Sequence, residues 1–303
     1  MNLNSIWTVL DESFEPLNND AYTVWQKIAT EQGLEPGWIT WVAALFVFGS
    51  DPFSTTGFMR LFPYGSARVL EARFALAVSH GILIARSENE YHATEKGMVW
   101  IKQMIHAAIE SVAHLQPIPP ADLQKIVDYG RRLTEASLAA PEPPSKFGAS
   151  HYFKNMQPGQ DESLLRFFIH YFGTLDKYRG NAHLATWKHY NIEGNRWEVL
   201  SYIWRGEFNT LDKLSEELSF RGITRDEYAE ILQELIQRSW VEESAGEYQM
   251  TAEGKRIREE AEALTDRYFF APWSCLNESE LEELSSLASQ LRDRLQAMKG
   301  EKS

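Results

Sequence analysis

The sequence predicts a mainly helical protein with two small β-hairpins, built as two copies of one module. Three observations carry that expectation. Residues 42–97 and 199–254 align without a gap at an offset of 157 residues, with identities that include Val42/Val199, Gly49/Gly206, Leu61/Leu218, Gly65/Gly222, Arg68/Arg225, Tyr91/Tyr248, Thr94/Thr251 and Gly97/Gly254. The full set of eleven compares with about three expected by chance from average residue usage. Apolar residues within each copy recur at helical spacing, and each copy ends in two short β-type runs across a polar tip. At 303 residues and 44% hydrophobic, the chain can bury a full core, and length alone suggests about two domains.

Taken in order, residues 1–18 show no clear periodicity and are expected as an extended arm. A helix near Asp20–Gln32 follows, closed by Gly33 and Pro36. Trp38, Trp41, Val42, Leu45 and Phe46 fit a buried helix ending at Gly49. Asp51 and Pro52 read as N-cap and first position of a short helix near 52–61. Pro63-Tyr64-Gly65-Ser66 is a turn, and the next helix places Leu70, Phe74 and Val78 on one face before ending near Gly81. Residues 82–84 and 91–93 then flank the polar tip 87–90 as a hairpin. Helix, helix, turn, helix, hairpin is the order of a winged helix.

The second copy repeats it. Trp197, Leu200, Ile203 and Trp204 mark one helix, Leu211, Leu214 and Leu218 a short second one, and 219–222 the turn. Thr224 with Glu227 forms a capping box, in which the hydroxyl accepts an amide hydrogen and the carboxylate reaches back. Tyr228, Ile231, Leu232 and Leu235 share a face, and 241–250 is the second hairpin. Further helices are expected near 98–115, 120–137, 162–179, 255–268 and 278–298. Three prolines and a glycine make 138–148 a linker, dividing the chain into an N-terminal unit, 1–137, and a C-terminal unit, 149–303.

These repeats resemble the MarR-type winged helix, the stretch Tyr248–Gly254 looking like the strand-to-helix exit of its wing. Over about residues 162–295, the stretches Tyr178–Ala185, Arg221–Tyr228, Leu264–Arg267 and Ala271–Trp273 resemble a bacterial family of tandem helix-turn-helix proteins without an established biochemical role. Asn181 and Ile223 depart from that family's pattern, where Asp and Trp are usual. MarR-type proteins are homodimers held by their outer helices. With both copies in one chain, the resemblance implies two tandem winged-helix units forming an intramolecular pseudo-dimer, complete as a monomer.

Formal net charge is −13, which repels nucleic acid and anionic membranes at long range. No apolar run approaches the roughly 20 residues of a membrane span. The start of the chain lacks a secretory pattern and Cys275 is the single cysteine, so a cytoplasmic location without disulfides is expected. Residues 37–97 carry five cations and five acids, whereas residues 193–254 carry six cations against fourteen acids. Phosphate contacts need Lys and Arg, so DNA is disfavoured as a partner. Its candidate contacts are Arg60, Arg68, Arg73 and Arg86 of the first copy, whose alternative role is local ion pairing on solvated helix faces.

A second concentration is Arg166 and His170 one turn apart, followed by Arg179, Asn181, His183 and Trp187 among aromatic residues. Gly180 would let the chain bend so that these side chains converge on a small aromatic or anionic ligand at the seam between the units. Alternatively Arg179 and His183 satisfy backbone carbonyls where helices meet. His170, His183 and His189 lack metal-ligand spacing. Cys275 has no evident basic neighbour and no nucleophile or dinucleotide motif is present. The expectation is therefore a ligand-responsive, regulator-like protein without catalytic residues, cofactor or metal. The competing expectation is a winged-helix protein that has lost DNA binding and serves as a protein- or small-molecule-binding module.

Overall fold

The computed structural model describes residues 2–34, 37–87, 89–159 and 162–300. Pro36 as a helix stop and Glu88 at the first hairpin tip lie outside them. The elements are α1 (Leu3–Glu31), α2 (Trp38–Phe48), α3 (Thr55–Met59), α4 (Ala67–Ser79), β1 (Leu83–Ser87), β2 (Glu90–Ala93), α5 (Glu95–Ala113) and α6 (Pro120–Ala139). After α7 (Phe147–Asn155) come α8 (Leu164–Trp187), α9 (Gly194–Arg205), α10 (Leu211–Glu217), α11 (Arg225–Gln237), β3 (Val241–Ser244), β4 (Glu247–Met250), α12 (Ala252–Phe270) and α13 (Glu278–Gly300). The block α1–α6 thus recurs as α8–α13 at the same offset, and α5 and α12 correspond residue for residue at both ends. The repeat is wider than residues 42–97, and α7 is the one helix described without a counterpart.

Two expectations are corrected. Residues 1–18 are not an extended arm, because Ile6, Trp7, Leu10, Phe14 and Leu17 form a buried stripe at helical spacing on α1. Asn2 caps that helix by accepting from the Asn4 amide, and Pro16 sits inside it at the cost of one backbone bond. Asp51 and Pro52 do not start α3. Phe53 exchanges two backbone hydrogen bonds with Tyr91, at 3.0 and 2.8 Å, so its backbone is committed to an extended bridge. Ser54 is the N-cap instead, its Oγ accepting from the Gly57 amide at 2.9 Å. The capping box at Thr224 and Glu227 is present as expected.

The chain forms two compact units, each drawn from both halves of the sequence: one holds residues up to Asp51, Ala93–Ala182 and from Asp266 onward, the other Pro52–His92 and His183–Thr265. These do not coincide with a division at 138–148. That segment lies inside the first unit, where the Tyr178 hydroxyl donates to the Glu142 carbonyl at 2.6 Å and the Lys146 ammonium to the Leu138 carbonyl at 2.9 Å.

The first unit is a helical assembly. α1 packs along α5 and α13, and α6 packs against α13 and the turn 271–275. α6 also meets α8, where Gly130 leaves room for the Phe172 ring and the Thr134 hydroxyl donates to the Tyr171 carbonyl at 3.2 Å. Since α1 and α8 are equivalent, as are α13 and α6, the α1–α13 and α6–α8 contacts are each other's counterparts.

The second unit contains α3, α4 and the first hairpin together with α9–α11 and the second hairpin. In the first copy the Phe74 ring lies 5.3, 5.4 and 5.1 Å from those of Phe53, Phe58 and Tyr91. The second copy buries Trp197, Leu200, Tyr228, Leu232 and Leu235. β3 and β4 pair antiparallel from Val241 opposite Met250 to Ser244 opposite Glu247.

Two glycine substitutions should move stability in opposite directions. A Cβ on Gly254 would lie 2.0 Å from the Trp240 carbonyl oxygen, whereas one on Gly180, in the exposed middle of α8, meets nothing within 4 Å. Gly254→Ala is expected to lose about 1–3 kcal/mol through overpacking, and Gly180→Ala to gain about 0.5–1 kcal/mol through helix propensity. Urea denaturation of both variants checks this, and equal shifts would contradict the packing.

Candidate functional site

The feature that organises the second unit is a meeting of equivalent turns. Tyr64 and Arg221 occupy the same position in the two copies, as do Gly65 and Gly222, and these turns touch. The Arg221 guanidinium lies 5.6 Å from the centre of the Tyr64 ring. The Ser66 amide donates to the Arg221 carbonyl at 3.0 Å. Gly222 has φ +70°, a backbone that side chains resist, and a Cβ there would fall 2.2 Å from Val69 Cγ2. Burial pushes the Tyr64 hydroxyl up to about 12, with Glu198 adding to the effect and Arg221 opposing it. Arg221 is in turn held by Glu198 at 2.6 Å.

This contact determines where the candidate DNA contacts lie. Arg73 donates to the Phe220 carbonyl at 3.1 Å and is spent on the turn. Arg68 is exposed and close enough to Glu227 to help hold that carboxyl low, after the larger effect of the Thr224 hydrogen bonds. Arg86 is exposed on β1. Arg60 is exposed at the end of α3 and lines a pocket. On α11, Arg225 is paired with Asp212 at 2.8 Å. Of the four arginines, Arg60, Arg68 and Arg86 are exposed and Arg73 is engaged by the turn.

The six candidate ligand residues do not converge either. All lie on α8, which runs unbroken through Gly180, so the expected bend is absent. Arg166, His170, Arg179 and Asn181 belong to the first unit, and His183 and Trp187 to the second. Arg166 and His170 do sit together. Both are buried; Arg166 donates to the Met156 carbonyl and pairs with Glu162, while the His170 ring packs 4.8 Å from that of Phe153. Burial, reinforced by Arg166 and opposed by a backbone hydrogen bond at Met156, pushes the His170 imidazole down to about 4. Arg179 pairs with Asp266 at 3.2 Å. Asn181 accepts from the Ala149 amide at 3.0 Å and caps α7 from outside, since Lys146 makes no side-chain cap. His183 accepts from the Trp197 indole at 3.3 Å, and Trp187 stacks on Trp197 at 5.9 Å. For Arg179, Asn181 and His183 the satisfaction of neighbouring protein groups is the role observed.

A pocket of about 670 Å³ lies within the second unit, lined by Thr56, Met59, Arg60 and Pro63–Ala67 of the first copy and by Trp187, Ile192–Arg196, Ile223 and the α11 face Glu227–Ile231 of the second (Tyr64 is not among them). Trp187 and Arg60 are the two residues that sequence reasoning had named. Lys188, which also lines it, was missed, because only folding brings residues this far apart in the chain together. Its ammonium is held below the usual range by burial and then by Arg60.

Beside the turns, Arg258 is 2% exposed and sandwiched between Trp197 and Trp204, 4.6 and 4.8 Å from their ring centres. Glu262 receives its hydrogen bond at 2.7 Å. The i,i+4 spacing of Arg258 and Glu262 was legible as a pair, but not as a buried one. Cys275 does have a basic neighbour, Arg132, which donates to its carbonyl at 2.6 Å, while burial raises the thiol. Among the described residues no three His, Cys, Asp or Glu side chains gather as a metal site, and no helix is long and apolar enough to cross a membrane.

A duplicated three-helix-plus-hairpin arrangement, with a turn before the third helix, defines a helix-turn-helix protein. Residues 100–301 match the model of a helix-turn-helix family, and the chain belongs to that family. No curated protein and no solved structure matches it.

The His170 environment sets an acid limb of stability. Its imidazole titrates lower in the folded chain than at the unfolded value of about 6.5, so below that pH the unfolded state binds more protons and stability falls. Stability is complete above pH 6.5 and is lost progressively towards pH 4. Replacing the ring by an apolar one should remove about 2–3 kcal/mol of the loss between pH 7 and 4.5. Urea denaturation of His170→Phe at both pH values tests this; an unchanged acid limb would contradict the buried neutral imidazole.

Proposed function

We propose that this protein is a small-molecule-binding member of its helix-turn-helix family. It is an internal pseudo-dimer of two winged-helix units whose reading surfaces face each other rather than DNA. One observation carries the reading: the equivalent turns 63–66 and 220–223 are in contact, and the 670 Å³ pocket lies beside them. A two-site DNA clamp sets its reading helices about 34 Å apart, one groove from the next. Turns in van der Waals contact, each leading into one of α4 and α11, do not meet that spacing.

Charge supports the same reading. α11 begins Arg225-Asp226-Glu227, its one arginine is neutralised by Asp212, and its hairpin carries Glu242, Glu243 and Glu247. Phosphates would meet carboxylates at close range. The reciprocal α1–α13 and α6–α8 packing supports the pseudo-dimer, and family membership supports descent from, or a residual likeness to, a regulator. The ligand-responsive element in this reading is the docking of α4 on the second copy. A ligand in the pocket touches both sides of that docking and biases it.

A mobility-shift titration at low salt, where phosphate contacts are strongest, tests the reading. The expected outcome is no retardation of a mixed-sequence duplex at micromolar protein. Retardation whose affinity falls steeply with salt, with a slope of several phosphates, would restore a DNA-reading role and overturn the proposal.

A further inference from the structure

The pocket's uncommitted charge identifies the chemistry of its occupant. Six charged side chains line it: Arg60, Lys188, Arg196, Glu193, Glu227 and Glu230. Arg196 is bound by Glu193 at 2.6 Å and Glu234 at 2.9 Å, and Glu227 reaches back to the Thr224 amide at 2.6 Å. Arg60, Lys188 and Glu230 remain, without an ion pair or side-chain hydrogen bond among the described residues, two cations against one carboxylate. Arg60 is near enough to depress the Lys188 ammonium. With Glu230 the one uncommitted carboxylate in the lining, the two cations leave an excess of positive charge that an anion would relieve.

Two further observations agree. The first turn of α9, Gly194 and Asn195, lines the same pocket; the Arg196 amide is taken by Asn195 Oδ1 at 2.9 Å, and the N-cap Glu193 makes no side-chain cap to the others, so the positive end of the helix faces the space. The cation pair is also made once per chain: 157 residues away, the positions equivalent to Arg60 and Lys188 hold Glu217 and Glu31. Trp187, Ile192, Ile223 and Ile231 give the lining an apolar part, with Met59 and Pro63 beside them and Thr56 and Ser66 as neutral polar members.

We propose that the pocket binds an organic anion, its carboxylate or phosphate head between Arg60 and Lys188 and its apolar body against Trp187 and the three isoleucines. The inference rests on the reading of this pocket as a ligand site, and it adds the class of ligand.

Isothermal titration calorimetry with benzoate, phenyl phosphate, inorganic phosphate and neutral benzamide tests it on the full chain. Benzoate or phenyl phosphate should bind, more weakly as salt rises, with benzamide at least tenfold weaker. The stronger of the two anions decides between carboxylate and phosphate heads, and binding of inorganic phosphate as tight as phenyl phosphate would exclude the apolar subsite. Arg60→Ala and Lys188→Ala, both at exposed positions, should each weaken the organic anion about 10–100-fold, as for a hydrogen bond to a charged group. Ala67→Trp, which fills the pocket from an exposed position, should abolish binding with the far-ultraviolet circular dichroism unchanged. Benzamide binding as well as the anions, or indifference to both cation variants, overturns the anion assignment; if that binding is still lost in Ala67→Trp, the pocket stands as a neutral site. If no probe binds, the ligand-site reading falls as well.

Discussion

The contact between the turn 63–66 and the turn 220–223 is the constraint on which the second unit depends. It brings equivalent residues of the two copies together, Tyr64 with Arg221, and it requires a residue without a side chain at Gly222, where Val69 fills the space and the backbone lies at φ +70°. Once that contact is made, the start of α4 is fixed by the Ser66 amide on the Arg221 carbonyl and by Arg73 on the Phe220 carbonyl. The pocket follows, because α3, α4, α9 and α11 then surround one space. The same few hydrogen bonds that hold the start of α4 therefore shape the concavity beside it.

Buried charge beside the turns makes this arrangement specific. Arg258 is almost fully enclosed between Trp197 and Trp204, with Glu262 as its carboxylate partner. Burial pulls the guanidinium below its usual range, and a buried ion pair is costly to form but costlier to leave half-made. Arg221 and Glu198 make a second, half-buried pair. Neither pair adds much net stability by itself. Arg258 ties α12 to α9 through the two tryptophans that enclose it, and Arg221–Glu198 ties the turn 220–223 to α9, so together they define the platform that receives Tyr64.

Much of this was legible in the sequence. The 157-residue offset, the capping box at Thr224 and most helices from 38 onward follow from spacing and residue type, α7 being the one that was not foreseen. The stripe from Ile6 to Leu17 is equally periodic, but Pro16 and the polar pair Asn18 and Asn19 interrupt the pattern, and burial along α1 outweighs both. The candidate ligand residues were misread for a geometric reason. Arg166 and Trp187 are 21 positions apart on one continuous helix, about 30 Å at 1.5 Å per residue, so no rotamer brings them to one ligand. The pocket was illegible because Arg60 and Lys188 come from different copies, and nothing in local periodicity joins them.

Duplication within one chain explains why such a pocket can arise at all. In a homodimer every substitution appears on both sides of the twofold axis, so a cation that favours an anion on one side is placed on the other side as well. Fusion removes that coupling. The first copy keeps a balance of five cations and five acids over residues 37–97, while residues 193–254 have drifted to six against fourteen. Arg60 stands where its counterpart is Glu217, and Lys188 where its counterpart is Glu31. The acidic third helix of the second copy is the one whose preceding turn meets the first copy. The asymmetry of charge between the copies and the asymmetry of the pocket lining thus have one source, the independence of the two halves of a single chain.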